Sequence, residues 1–313
     1  MTKAARGDTV VAGLLNSDRR SLARVLSWIE AGDPRGQESI GKLGSTATSY
    51  VVGITGAPGA GKSTLTNELI KTVRRADQTV AVVAIDPSSP LSGGALLGDR
   101  IRMTEHTHDP GVYVRSMATR GQLGGLATAV PAYLRALEAF GFDWLIVETV
   151  GVGQVQIDIG AVADTTVVVI NPGWGDDVQA SKAGILEIAD VFAITKADRP
   201  GTDDTVLDLS SALALGARRP WKTPIIRCVG QTGEGLDVLW QAIADHRTYL
   251  TRGDEFELRR RRRRLRDLTA AVQELAVRRA EKRISDDEFA ALVEATAEGK
   301  IDPATAAIRI LAE

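Results

Sequence analysis

Residues 51–64 read Val-Val-Gly-Ile-Thr-Gly-Ala-Pro-Gly-Ala-Gly-Lys-Ser-Thr, and this stretch decides the fold. A β-branched apolar run (Val51, Val52, Ile54) leads into Gly56-x-x-x-x-Gly61-Lys62-Ser63, and a helical pattern starts at Thr64. Strand, glycine loop and helix in that order are the context a phosphate-binding P-loop requires. The reason is electrostatic. Along Gly56, Ala57, Pro58, Gly59, Ala60 and Gly61 the backbone must curl so that successive N–H groups face phosphate oxygens, and glycine permits that approach. The helix that follows adds its N-terminal N–H groups and partial positive charge. In such a loop Lys62 is expected to reach the β- and γ-phosphates and Ser63 to bind Mg²⁺. The bland alternative is a glycine-rich turn that holds no ligand.

Outward from this stretch, strands and helices alternate as far as residue 229. Expected strands are 50–55, 79–85, 112–115, 143–148, 165–170, 191–195 and 224–229, with helical patterns at 63–75, 124–140, 178–189 and 203–216. Near-continuous apolar strands in such an alternation predict an α/β fold, a mainly parallel sheet covered on both faces. Ligands of such sheets lie beyond the carboxyl ends of the strands. Upstream, residues 8–31 read as two short amphipathic helices and 32–49 as a Gly/Ser/Thr-rich linker. Downstream, 236–250 closes the α/β region. A charged helix is expected over 255–283, with shorter helices after Ser285-Asp286 and Asp302-Pro303. The expected organisation is 1–49 N-terminal helices and linker, 50–254 nucleotide-binding domain, and 255–313 helical arm.

At 313 residues the chain can bury a substantial core, and its net charge of -2 gives no global pull toward nucleic acid or membrane. The single Cys228 rules out an intrachain disulfide and fits a reducing cytosol. No apolar run approaches the roughly 18 residues of a membrane span. A cytoplasmic protein is the expectation.

Three further segments carry chemistry. The run Asp143-Trp-Leu-Ile-Val-Glu148-Thr-Val-Gly151 is an apolar strand ending in a carboxylate and a glycine. That is the layout of a Walker B strand: Glu148 would hold Mg²⁺ through water, and the Gly151 N–H would face the γ-phosphate. Gln154 could orient the attacking water. Thr195-Lys196-Ala197-Asp198 ends another strand and resembles the Asn-Lys-x-Asp base-reading motif of GTPases. The Asp198 carboxylate can accept from guanine N1–H and its 2-amino group, whereas adenine offers an acceptor at N1 and no amino group. The stem of Lys196 can lie along the base plane. The competing reading of Asp198 is a helix N-cap. The third segment, residues 86–103, contains two prolines and three glycines, which break regular structure. It carries Asp86 and Asp99, read either as metal-side acids on a switch loop or as ordinary acids of a solvated loop. His106 and His108 do not share a helix face and make a poor metal pair. The six arginines at 259–264 sit beside acids on an amphipathic helix and read as a solvated or partner-facing surface.

Together these residues resemble the MeaB/ArgK-type GTPases of the SIMIBI class, associated with methylmalonyl-CoA mutase. The resemblance covers nearly the whole chain and rests on Gly56–Ser63, Asp86-Pro-Ser-Ser-Pro90, Gly93-Gly-Ala-Leu-Leu-Gly-Asp-Arg100, Arg115-Ser-Met-Ala-Thr-Arg-Gly121, Glu148-Thr-Val-Gly-Val-Gly-Gln154 and Gly175-Asp-Asp-Val-Gln-Ala-Ser-Lys182. It implies GTP/GDP and Mg²⁺ as ligands, with Ser63, Asp86, Asp99 and Glu148 around the metal and Lys62, Gly151 and Gln154 in catalysis. It implies nucleotide contacts from the loop 56–61 with Lys62, Ser63 and Thr64, and from Thr195, Lys196, Asp198, Val229, Gly230 and Gln231. It also implies a homodimer formed through the arm, and a chaperone role. A GTP-timed chaperone of this kind assists an adenosylcobalamin-dependent acyl-CoA mutase, with no membrane or nucleic-acid partner. Two departures stand out: Thr195 replaces the usual Asn, and Val229-Gly230 stands where a Ser-Ala pair normally backs the guanine O6. The competing functions are a P-loop kinase or ATPase of an amino-acid (LAO/AO-type) transport system and a nucleic-acid-binding module using the arginine run.

Overall fold

The computed structural model of the chain describes residues 3–44, 49–86, 104–106, 108–118, 125–149, 155–173, 182–216 and 219–311. Seven strands form one sheet: β1 (Tyr50–Gly56), β2 (Val80–Asp86), β3 (Val112–Ala118), β4 (Trp144–Thr149), β5 (Thr165–Ile170), β6 (Val191–Ile194) and β7 (Ile225–Arg227). Their spatial order is β3-β2-β4-β1-β5-β6-β7, and every pairing is parallel. The sheet is therefore the parallel, helix-flanked one expected of a P-loop protein. β1 lies at its centre, between β4 and β5.

Why the strands read as unbroken apolar runs follows from burial: every residue of β1, β4, β5 and β6 is buried. Successive side chains alternate between faces. Tyr50, Val52 and Ile54 of β1 join Val80, Val82, Trp144, Ile146, Val167 and Val169 on one face. That face is covered by Leu65, Leu69, Ile70 and Val73 of helix Lys62–Arg75 and by Leu236, Leu239, Ile243 and Leu250 of helix Leu236–Thr251. Val51, Ala81, Val83, Leu145 and Val147 face the other way, onto helix Gly125–Phe140 and the N-terminal helices. Helices Lys182–Ile188 and Thr202–Leu215 cover Val168, Ile170, Phe192 and Ile194 on the β6 side.

Two expectations need correction. Residues 32–49 are not all linker: Pro34–Lys42 is a helix. Asp33 caps it by accepting from the Arg35 N–H, and proline occupies its first turn, where a missing N–H costs nothing. It joins helices Lys3–Leu15 and Arg19–Glu30. The stretch between β4 and β5, outside the expected helical patterns, contains the helix Val155–Val162.

At the amino-terminal ends of the strands, acids repeat a single device. Asp143 accepts the Thr79 N–H at 2.7 Å, Asp164 the Val51 N–H at 2.9 Å and Asp190 the Thr166 N–H at 2.9 Å. Two of these acids also receive the arginine run, whose first members are not the solvated surface the sequence suggested. Arg259 donates to both Asp190 oxygens at 3.0 Å, and Arg260, 7% exposed, donates to Asp164 at 3.0 Å and to the Ser49 carbonyl at 2.7 Å. Phe256 stacks on Tyr50 at 6.2 Å. His246 is wholly buried beside them, its Nδ1 2.8 Å from Thr165 Oγ1.

The chain divides into two compact units, 1–263 and 264–313. The second comprises the rest of helix Glu255–Arg283 followed by helices Asp286–Ala297 and Pro303–Leu311. Ser285 and Glu288 form a reciprocal capping box, and Asp302 caps the last helix through the N–H groups of Ala304 and Thr305. Leu265, Leu268, Val272 and Leu275 are all more than half exposed, at three- and four-residue spacing.

Candidate nucleotide site

The loop joining β1 to helix Lys62–Arg75 lies at the carboxyl end of the central strand, where the chain turns to opposite sides of the sheet. Its glycines all adopt positive φ, a conformation that favours glycine. Gly56 has φ 146°, and a Cβ there would sit 2.0 Å from the Val169 carbonyl oxygen. Gly61, with φ 88°, supplies the left-handed turn into the helix. Lys62 folds back over the loop, its Nζ donating to the Gly56 carbonyl at 2.8 Å and the Ala57 carbonyl at 2.9 Å. The ammonium therefore lies over the concavity that the loop backbone encloses.

Beside the loop, β4 delivers Glu148. The parallel register sets Ile54 against Glu148, so the carboxylate emerges next to the end of β1. It is 1% exposed and held by hydroxyls: Ser63 Oγ donates to Oε1 and Thr66 Oγ1 to Oε2, each at 2.7 Å. Thr149 Oγ1 donates to Thr55 Oγ1 at 2.9 Å, tying the two strand ends together. Asp86 closes β2, whose Ala84 pairs with Glu148, so its backbone reaches the same rim. Asp99, Gly151 and Gln154 lie outside the described residues. Ser63 and Glu148 are hard oxygen donors in mutual contact, the chemistry that suits Mg²⁺. Among the described residues no cluster of three or more acid, histidine or cysteine side chains could hold a metal by itself.

The third part is the loop after β6. Thr195 donates through Oγ1 to the Ala60 carbonyl, so the residue in place of Asn straps this loop to the P-loop. Lys196 adopts φ 52°, and its Nζ donates to the Gly59 carbonyl at 2.8 Å. The Ala197 N–H donates to the Cys228 carbonyl at 3.2 Å, which joins this loop to the one carrying Val229, Gly230 and Gln231. Val229 bridges back to Glu234, and a Cβ on Gly230 would lie 2.8 Å from the methyl of Thr64. Asp198 is exposed in the turn and makes no hydrogen bond among the described residues. The next helix begins at Thr202 with Gly201 as its N-cap, so the helix-cap reading of Asp198 is excluded. Burial pushes the Cys228 thiol up to about 12, which leaves it a packing residue. His106 donates through Nε2–H to Asn67 Oδ1 at 2.9 Å, so it anchors residues 104–106 against the P-loop helix.

The glycine loop after β1, the buried Glu148 carboxylate and the loop carrying Asp198 thus share one rim. Sequence reasoning did not single out Thr66, Thr55 or Thr149. A polar side chain within the sheet-facing stripe of the P-loop helix was the available signal for Thr66.

A nucleoside-triphosphatase of the P-loop class is what this fold and rim define. The solved structure titled LAO/AO transport system kinase has the same fold over 99% of this chain and 98% of its own, with a TM-score of 0.72 at 24% identity. The family described as methylmalonyl Co-A mutase-associated GTPase MeaB matches residues 22–285, and the chain belongs to that family. A putative GTPase of Pyrococcus abyssi is 45% identical over 98% of this chain and 96% of its own length. GTPase ArgK of Escherichia coli is 34% identical over 76% and 75%. The mouse mitochondrial methylmalonic aciduria type A homolog is 32% identical over 81% and 66%. The chain is a guanine-nucleotide-binding GTPase. Among the described residues no helix is long and apolar enough to cross a membrane.

Proposed function

We propose that this GTPase acts as a timer for an adenosylcobalamin-dependent acyl-CoA mutase, protecting or reactivating it through cycles of GTP binding and hydrolysis. The observation that carries the reading is family membership across residues 22–285, in a family described as mutase-associated. The mouse relative, whose name refers to methylmalonic aciduria, supports the same direction.

In this reading Asp198 accepts from guanine N1–H and the 2-amino group, Lys196 lies along the base, and Val229, Gly230 and Gln231 line the far edge. Lys62 leaves the Gly56 and Ala57 carbonyls when the β- and γ-phosphates arrive, exchanging neutral acceptors for charged ones. The N–H groups of residues 56–61 and the helix start at Lys62–Thr64 hold the remaining oxygens. Ser63 and Glu148, with Asp86 and Asp99, form the Mg²⁺ side. The cation, when bound, neutralises phosphate charge. Gly151 offers a backbone N–H to the γ-phosphate and Gln154 orients water. The helical arm from residue 255 forms a homodimer through its exposed Leu265, Leu268, Val272 and Leu275 stripe. The protein works in the cytoplasm.

GTP and ATP hydrolysis by the full chain, with and without a candidate mutase, tests this. Slow unaided turnover, on the order of 10⁻⁴ to 10⁻² per second, is expected to rise on adding the mutase. Transfer of the γ-phosphate from ATP to a solute would replace the timer with a kinase.

A further inference from the structure

Glu148 is clamped at two points by one helix. Ser63 and Thr66 stand three residues apart, so their side chains stack on the same helix face. Each donates to a different carboxylate oxygen at 2.7 Å. Thr66 is wholly buried, and Glu148 nearly so. Glutamate has one more rotatable bond than the aspartate commoner at this position, and its terminal torsion is broad and weakly restrained. One hydroxyl fixes one carboxylate oxygen, and the second fixes the other as well. Each carboxylate oxygen can accept more than one bond, so the clamp orients the group without exhausting it. Ser63, with its O–H directed at Glu148, presents oxygen lone pairs to a cation.

We infer that Thr66 is a positioning residue for the divalent cation used by this GTPase, acting through the second oxygen of Glu148. Its hydroxyl holds the longer acid in the one orientation that serves Ser63 and a cation together. This rests on the reading of Glu148 as a metal-side carboxylate.

The test is a Mg²⁺ titration of the full chain with two readouts: retention of a fluorescent GDP analogue, and GTP hydrolysis. Thr66→Val keeps the shape and removes the donor. Its Mg²⁺ midpoint is expected to rise about tenfold in both readouts, the loss of one hydrogen bond to a charged group, with kcat at saturating Mg²⁺ within about twofold of wild type. Thr66→Ser keeps the donor in a smaller side chain and is expected to stay near the wild-type midpoint. A role in packing alone predicts that Ser fails with Val, and that result would overturn the inference. Should Thr66→Val not fold, as judged by thermal melting without nucleotide, Thr66→Ala against Thr66→Ser carries the same comparison. Glu148→Gln separates the two levels. If it shifts the midpoint while Thr66→Val does not, Thr66 has no such role. If neither shifts, the metal reading of Glu148 fails and the inference fails with it. If Thr66→Val shifts alone, the effect does not run through Glu148 and the inference is wrong.

Discussion

Arg260 and Asp164 form a buried pair in which the carboxylate is shared: Oδ2 of Asp164 accepts from Arg260 Nη2 at 3.0 Å and from the Val51 N–H at 2.9 Å. The first turns of the long helix starting at Glu255 are thereby fixed to the foot of the central strand, at the opposite end of the sheet from the phosphate loop. Cutting this pair on one side leaves a buried charge without its partner. Arg260→Met is expected to cost about 3–5 kcal/mol, read by chemical denaturation. The double variant Arg260→Met/Asp164→Asn should lose less than the two single losses added together. Additive losses would show that the two side chains are not coupled.

Lys62 bonds two loop carbonyls and is not among the apolar side chains that build the core. Lys62→Ala should therefore abolish GTP hydrolysis while the chain keeps a cooperative thermal transition. Turnover retained in that variant would contradict the placing of the ammonium on the phosphates.

Asp198 gives a sharper test because the groups it would meet on a guanine base are specific. Asp198→Asn should lower the preference for GTP over ATP by roughly 100-fold or more, since a site built around two specific bonds discriminates strongly when they are lost. An asparagine amide can both accept from N1–H and donate to a 2-oxo group, so the same variant should gain affinity for xanthosine triphosphate. Equal loss of GTP and ATP, with no gain of the xanthine nucleotide, would remove Asp198 from the base.

His246 sets an acid limit on stability. Burial is the largest influence and lowers its pKa from 6.5 to about 4; Asp190 and Asp164 pull it up, and Arg259 pushes it down. Its Nε2 lies 3.3 Å from Asp190 Oδ1 without making a hydrogen bond, which fits a neutral ring. The unfolded chain binds this proton more readily, so stability is full above pH 6.5 and falls as pH drops toward 4. The loss from this group approaches about 3 kcal/mol at the acid end. Denaturation midpoints between pH 7 and 4.5 should flatten in His246→Phe relative to wild type, after allowance for the other acids; an unchanged slope would exclude the ring as the source.

Much of this was legible from residue pattern alone, where local chemistry is decisive. Gly56, Gly61, Lys62 and Ser63 are specified by what a phosphate demands of a backbone, and the doubly buried strands announce themselves as apolar runs. What escaped reading depends on partners far away in the chain. The placing of β4 between β1 and β2 rests on long-range pairing that no local window contains. Helix Val155–Val162 is apolar almost throughout, so it lacks the amphipathic period that marks a surface helix. Helix Pro34–Lys42 was hidden by small residues, although Asp33-Pro34 is a sound start signal. A threonine in the sheet-facing stripe of a helix stands out without showing its purpose, and the nearness of Glu148 gives Thr66 one. The same holds for Arg259 and Arg260, whose partners Asp190 and Asp164 lie 69 and 96 residues upstream, far outside any local window.

The acids at the strand feet have a mechanical corollary. Asp143, Asp164 and Asp190 each pin a main-chain N–H of, or just before, an adjacent strand, so the stagger between neighbouring strands is latched independently of any bound molecule. Sliding one strand by a single residue would break a latch and turn its side chains to the wrong layer. The sheet thus has a fixed floor, and exchanging one nucleotide for another is expected to leave the strand stagger at that end unchanged.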